Sequence, residues 1–156
     1  MIKLVRVDHR LLHGQVAFSW TQALGADCIL IANDDVPQND IRKTTIKLAK
    51  PAGVKLVIKN INDSIDALKS GVTDKYKLFI VVESIADAYQ MAKAVPEIKA
   101  INLGGMKVRE NTRNISKAIN ITQEEEGMVK ELVDAGREVE IRQVPNDKKV
   151  AALDAF

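Results

Sequence analysis

The sequence is short of cysteine: of its 156 residues, only Cys28 is one. A single cysteine excludes an intramolecular disulfide and leaves no thiolate cluster for zinc, which suits a reducing compartment. Cys28 lies in the apolar run Asp27-Cys28-Ile29-Leu30-Ile31-Ala32 with no histidine beside it, so it reads as a small buried hydrophobe rather than a catalytic thiol. An excess of one charge is missing too. With 23 basic and 21 acidic residues the net charge is +2, too balanced for the whole-protein field that nonspecific binding to nucleic acid or membranes draws on. Long apolar runs are also lacking. The longest, such as Leu78-Phe79-Ile80-Val81-Val82, fall far short of the roughly twenty residues of a bilayer span. Met1-Ile2-Lys3-Leu4-Val5-Arg6 has no continuous apolar core before a small-residue cleavage site and does not read as a signal peptide. The expectation is a protein that stays in the cytoplasm and does not insert into a membrane.

What the chain does have is alternation. Short segments rich in Val and Ile are separated by longer segments of helical period, the sequence sign of stacked βα units in one α/β domain of this length. Strands are predicted near Ile2–Val7, Cys28–Asn33, Val54–Lys59, Leu78–Val82 and Ile98–Leu103, with so little polar alternation that they suit a mostly parallel sheet covered on both faces. Helices are predicted over Gln15–Leu24, Asn39–Ala49, Asn62–Ser70 and Ser84–Ala94, bounded by Gly25, Pro51, Gly71 and Pro96. Gly104–Asn114 is polar and basic and reads as a long loop. A short strand at Ala118–Ile121 leads to Thr122-Gln123-Glu124-Glu125, a capping box that opens a fifth helix, and Glu138–Val144 alternates as a last strand before a short tail. No linker, repeat or low-complexity tract divides residues 1–156.

In open α/β sheets ligands bind where loops leave the carboxyl ends of the strands. Two such loops carry chemistry here. Asp8-His9-Arg10-Leu11-Leu12-His13-Gly14-Gln15 holds both histidines of the protein. His13 precedes Gly14 and Gln15, the first turn of a helix, so unpaired amides and the positive end of the helix dipole face the imidazole and favour an anion. Arg10 offers a planar fork that matches two phosphoryl oxygens, and Gly14 lets a bulky group approach the backbone. A neutral imidazole is nucleophilic near neutral pH and its phosphoramidate passes the group on, so this loop suits a phosphohistidine. Two other readings stand beside it: His13 bonded to a backbone carbonyl at a turn, or His9 and His13 sharing a metal with a third donor from elsewhere. Asp8 at the strand end is placed to orient Arg10 or an imidazole N–H.

The second loop, Gly104–Asn114, has a glycine pair but lacks the lysine and serine of a nucleotide-binding P-loop. Lys107, Arg109, Arg113 and Lys117 make the region basic, yet no aromatic residue interleaves them and Glu110 interrupts the charge, which disfavours nucleic acid. A basic rim there fits docking of an acidic partner, or help for a phosphoryl group from Lys107 and Arg109.

Arg6-Val7-Asp8-His9-Arg10-Leu11-Leu12-His13-Gly14-Gln15-Val16 resembles the opening of the IIB subunits of the mannose/fructose/sorbose family of bacterial sugar phosphotransferase systems. Asn33-Asp34-Asp35-Val36, Arg42-Lys43-Thr44, Pro51-Ala52-Gly53-Val54, Asn102-Leu103-Gly104-Gly105-Met106 and Ile115-Ser116-Lys117-Ala118 extend the likeness over essentially the whole chain. The resemblance implies an open, mostly parallel seven-stranded sheet with helices on both faces. It implies that His13 takes a phosphoryl group from a IIA phosphohistidine and delivers it to a sugar moved by the membrane IIC and IID subunits. Arg10 then matches the family arginine of the active loop, with Asp8, Gly14, Gln15, Lys107 and Arg109 as supporting candidates. No metal or other cofactor is implied, and a homodimer is compatible with the family. The position of His9 is often aspartate in the family and carries no role, and Glu83-Ser84 departs from the Thr-Asn-Pro-like turn of some members. A non-catalytic protein-binding module using the same loops is the alternative function.

Overall fold

Runs of Val, Ile and Leu without polar alternation are stable only when both faces of their sheet are covered. In the computed structural model, which describes residues 1–156, such runs form β1 (Ile2–Asp8), β2 (Cys28–Ala32), β3 (Lys55–Lys59), β4 (Leu78–Val82) and β5 (Ala100–Gly105). The chain continues through β6 (Arg113–Ser116), β7 (Ile119–Ile121), β8 (Glu138–Ile141) and β9 (Val150–Ala151). Seven of these make one open sheet in the order β3-β2-β4-β1-β5-β8-β9, parallel throughout except where β9 runs against β8.

Five helices cover it: α1 (Gly14–Leu24), α2 (Asp40–Leu48), α3 (Ile61–Ser70), α4 (Ile85–Ala94) and α5 (Gln123–Asp134). Ala17 and Trp20 of α1 and Ile46 of α2 pack with Ile29, Ile31, Phe79 and Val81 on one face. Ile61 of α3, Met91 of α4 and Val129 of α5 pack with Leu30, Ile80 and Leu103 on the other. Strict alternation along β2 and β4 divides their side chains between the two layers. Cys28 points into the layer under α3 to α5, where burial pushes its thiol pKa up. Asn39, Asn60, Ser84 and Thr122 cap α2 to α5 by accepting a hydrogen bond from a first-turn amide.

Several expectations need correction. The fifth strand starts at Ala100, not Ile98, because Ile98 closes a turn by donating its N–H to Val95 O. The last predicted strand stops at Ile141, and α3 begins at Ile61 because Asn60 supplies its cap. The strand predicted at Ala118–Ile121 lies outside the main sheet. The place beside β5 belongs to β8, so β7 pairs instead with β6, a segment that begins inside the predicted loop. The expected tail supplies the seventh strand, β9. Two residues carry no alternation for a sequence to display, and only the free edge of β8 gives them a partner.

The capping box of α5 is complete: Thr122 Oγ1 accepts from Glu125 N–H and the Glu125 carboxylate accepts from Thr122 N–H. Thr122→Ala is expected to cost about 1 kcal/mol, read as a lower midpoint in urea unfolding with an unchanged slope.

Candidate active site

From β1 the chain passes β4 to reach β2, whereas from β5 it moves the opposite way to β8. The neighbouring carboxyl ends of β1 and β5 therefore open a crevice between diverging loops, where open α/β sheets place their ligands. Alternation along β1 sends Val5 and Val7 into the layer under α3 to α5, and Leu4 into the layer under α1 and α2. Arg6 and Asp8 share the side of Leu4, a charged pair buried at the carboxyl end of a central strand.

Those charges are matched along one row of the sheet. Arg6 on β1 stands opposite Asn102 on β5, which stands opposite Glu140 on β8. Arg6 donates through Nη1 to Asn102 Oδ1 at 2.7 Å and through Nη2 to Asp8 Oδ2 at 3.0 Å. Asn102 Nδ2 donates to Glu140 Oε1 at 3.3 Å, and Arg142 Nη2 reaches the same oxygen at 3.1 Å. Trp20 covers the row from α1, its ring centroid 5.3 Å from the Arg6 guanidinium carbon and 4.9 Å from that of Arg142. Its Nε1 donates to Gln143 O at 2.9 Å. The indole is thus a core residue and also a cation–π platform. Gly104 makes the row possible, because a Cβ there would overlap the Arg6 guanidinium. The first glycine of the pair thus makes room for an internal side chain.

At the end of the row, His13 Nε2 lies 3.0 Å from Asp8 Oδ2, and Arg10 N–H donates to Asp8 Oδ1 at 3.0 Å. Asp8 is 0% exposed. Burial alone would raise its carboxyl pKa, but the hydrogen bonds from His13 and Arg10 N–H and the Arg6 charge together hold it below the ordinary value. Burial lowers the Arg6 guanidinium pKa, with the Asp8 carboxylate opposing. An ionised carboxylate only accepts hydrogen bonds, so the Nε2 proton of His13 points at Asp8 and the Nδ1 lone pair is left free.

The loop holds its shape through its leucines. Leu11 N–H donates to Asp8 O at 2.9 Å, and Leu11 sits at φ 59°, a left-handed conformation that costs an ordinary residue about 1–2 kcal/mol. Burial of Leu11 and Leu12 among Trp20, Ile29 and Ile31 offsets that strain. Arg10 and His13 flank the two buried leucines, with side chains 55% and 22% exposed. His13 is the N-cap residue of α1 but its side chain makes no cap bond, so the amides of Gly14, Gln15 and Val16 have no acceptor in the preceding turn. Gly14, at φ 43°, has the backbone freedom the loop needs to enter the helix.

The structure separates the remaining candidates. His9 continues the alternation of β1 to the opposite side from Asp8, and lines a cleft of about 110 Å³ with Glu83, Ser84, Met106, Lys107 and Arg109. The two histidines therefore do not converge, and no cluster of three His, Cys, Asp or Glu side chains lies together for a metal. Arg109 is a structural clamp: it grips Glu125 through Nη1 and Nη2 at 3.2 and 2.8 Å and donates to Asn120 O. Gln15 is exposed on the first turn of α1. Sequence reasoning missed Arg6, Asn102, Glu140 and Arg142 and saw Trp20 only as core. The available signal was one polar residue within each of three apolar strands, in Val-Arg-Val, Ile-Asn-Leu and Val-Glu-Ile.

Gly104→Ala is expected to expel the Arg6 guanidinium from its bonds with Asp8 and Asn102, at about 3 kcal/mol as for a broken buried pair, measured by urea unfolding. The depressed pKa of Asp8 means its stabilising contribution is complete at neutral pH. It is lost as pH falls below the ordinary carboxylate range through the folded value. Asp8→Asn should therefore cost more stability at pH 7 than at pH 3, and equal losses at both would contradict the assignment.

Residues 2–156 match the family described as the sorbose subfamily IIB component of the phosphotransferase system. A probable phosphotransferase enzyme IIB component of Streptococcus pyogenes serotype M6 is 37% identical over 138 residues, covering 85% of each chain. The mannose-specific EIIAB component of Escherichia coli K12 is 27% identical over 154 residues, 99% of this chain and 48% of that protein. The crystal structure of the IIBSor domain of the sorbose permease from Klebsiella pneumoniae superposes with a TM-score of 0.93 at 28% identity, covering 99% and 95% of the two chains. The seven-stranded, mostly parallel sheet with helices on both faces agrees with that likeness. The chain belongs to the sorbose subfamily of IIB components of the sugar phosphotransferase system.

Proposed function

We propose that this IIB component is a phosphocarrier that acts through Nδ1 of His13. It accepts the phosphoryl group from a phosphohistidine of a IIA domain or subunit and passes it to a sugar during uptake by membrane IIC and IID subunits. The observation that carries the reading is the 3.0 Å contact between His13 Nε2 and Asp8 Oδ2, which fixes one tautomer and leaves the other nitrogen to attack. In the first step the Nδ1 lone pair forms a bond to phosphorus while the donor P–N bond breaks, its electron pair returning to the donor imidazole. The His13 ring becomes cationic with Nε2 still protonated, and the Asp8 carboxylate neutralises it. In the second step a sugar hydroxyl oxygen takes the phosphorus, the P–Nδ1 pair returns to the ring, and the hydroxyl proton leaves on the acceptor side. Neither step needs covalent machinery beyond the imidazole, so positioning and charge are what the protein supplies.

Arg10 and the free amides at the start of α1 are the groups that would meet phosphoryl oxygens. A donor embedded in another protein needs an open loop rather than a closed pocket, and the exposure of Arg10 and His13 meets that need. The EIIAB fusion among the relatives supports a IIA partner in the same pathway. No helix is long and apolar enough to cross a membrane, so the proposed work is at the membrane surface, docked on IIC and IID. Sugar identity belongs to those subunits in this reading.

The test is incubation with the general phosphotransferase proteins, a matching IIA and labelled phosphoenolpyruvate. Acid-labile label is expected on the intact protein and none on His13→Ala; label retained by that variant would refute the assignment, and none on either would favour a protein-binding module. Asp8→Asn should transfer more slowly by roughly 100-fold or more, the scale on which imidazoles in the wrong tautomer fail.

A further inference from the structure

The cations around the crevice are not equivalent, and most of them are already paired. Arg109 is held by Glu125, Arg113 by Glu126, Arg142 by Glu140 and Arg6 by Asp8. Two lysines remain whose ammonium groups have no hydrogen bond or ion pair, Lys107 and Lys117, although the Lys107 carbonyl accepts from Arg109 Nε. Lys107 lines the His9 cleft, on the side of the sheet away from Asp8. Lys117 lines a cleft of about 420 Å³ with Arg6, Arg10, Val16, Gly104 and Gln143, on the side of α1 and His13.

Lys117 reaches that cleft by a built route. It occupies the turn between β6 and β7, and Met106, the residue after β5, fixes the ribbon by donating its N–H to Ala118 O at 2.8 Å and accepting from Asn120 N–H at 3.1 Å. The Asn114 side chain braces the same turn through Ser116 O at 2.8 Å. A lysine distant in sequence thereby lines the same cleft as Arg10, whose guanidinium is itself tied only loosely, with Nε 3.8 Å from Asp8 Oδ1. Asp147 contributes the one carboxylate of the cleft, and it accepts from Val144 N–H.

We propose that Lys117, with Arg10, binds the oxygens of the phosphoryl group in transfer at His13, so that Lys117 is a catalytic residue and the Lys107–Arg109 segment is not. The inference rests on the phosphocarrier reading above. A transferring phosphoryl group spreads its charge over three equatorial oxygens while entering and leaving nitrogens lie in line, so cations on two sides neutralise it better than one. A fork on the active loop and a flexible ammonium on the facing ribbon supply those two sides.

The experiment follows labelling of His13 by two donors, the phosphorylated IIA partner and potassium phosphoramidate, which is small and has no protein surface to dock. Lys117→Gln is expected to slow labelling by both donors about 10- to 100-fold at saturating donor, with an unchanged melting temperature, and Lys117→Arg should restore most of the rate. Lys107→Gln should leave phosphoramidate labelling unaltered. Loss with the protein donor alone, expressed only in KM, would make Lys117 a docking residue and overturn the proposal, as would no loss with either donor. Wild-type protein that takes no label, or His13→Ala that takes it equally, would instead overturn the phosphocarrier reading.

Discussion

The structure turns on a carboxylate that has no access to water. Asp8 ends the central strand of the sheet and accepts from Arg6 behind it, His13 beside it and the Arg10 amide above it. Each partner depends on something further away. Arg6 stays because Gly104 leaves room and Trp20 covers it, His13 because Leu11 and Leu12 pin the loop, and the loop because Asp8 O closes its turn. Removing the carboxylate would leave a guanidinium buried without its counter-charge and an imidazole free to choose its tautomer.

Such a row is an expensive way to fill a sheet. Buried ion pairs are often no more stabilising than apolar residues of the same volume, since desolvation cancels the Coulombic gain. An apolar row at Arg6, Asn102 and Glu140 would fold at least as readily. It would not hold an ionised carboxylate under an imidazole at the mouth of a crevice. The polar row is therefore explained by the site and not by stability, and its balanced charges, two cations against two anions, keep the destabilisation tolerable.

A similar division organises the surface. Where the sequence offers a basic stretch from Lys107 to Lys117, the folded chain uses its arginines for structure. Arg109 and Arg113 tie the ribbon to the start of α5, where the acidic first turn and the capping box also lie. Lysines, whose compact charge needs no fork-shaped partner, are what remain exposed on either side of the sheet.

How much of this was legible in the chain follows from the range of the forces involved. Period, caps and stops act over a few residues, so the βα alternation, the Thr122 capping box and the loop bearing His13 stood in the sequence itself. The likeness of Arg6–Val16 to a phosphotransferase subunit did too, because that loop packs all its chemistry into consecutive residues. Pairing acts over distances the chain does not record. Only the fold decided that Ala118–Ile121 leaves the main sheet, that Val150–Ala151 enters it, and that Arg6, Asn102 and Glu140 share one row. Only the fold parted His9 from His13: one residue past Asp8 turns His9 to the opposite side of the sheet, while the loop brings His13 back onto Asp8. A sequence determines what each residue can donate or accept; which partner it meets depends on register, and register is a property of the whole sheet.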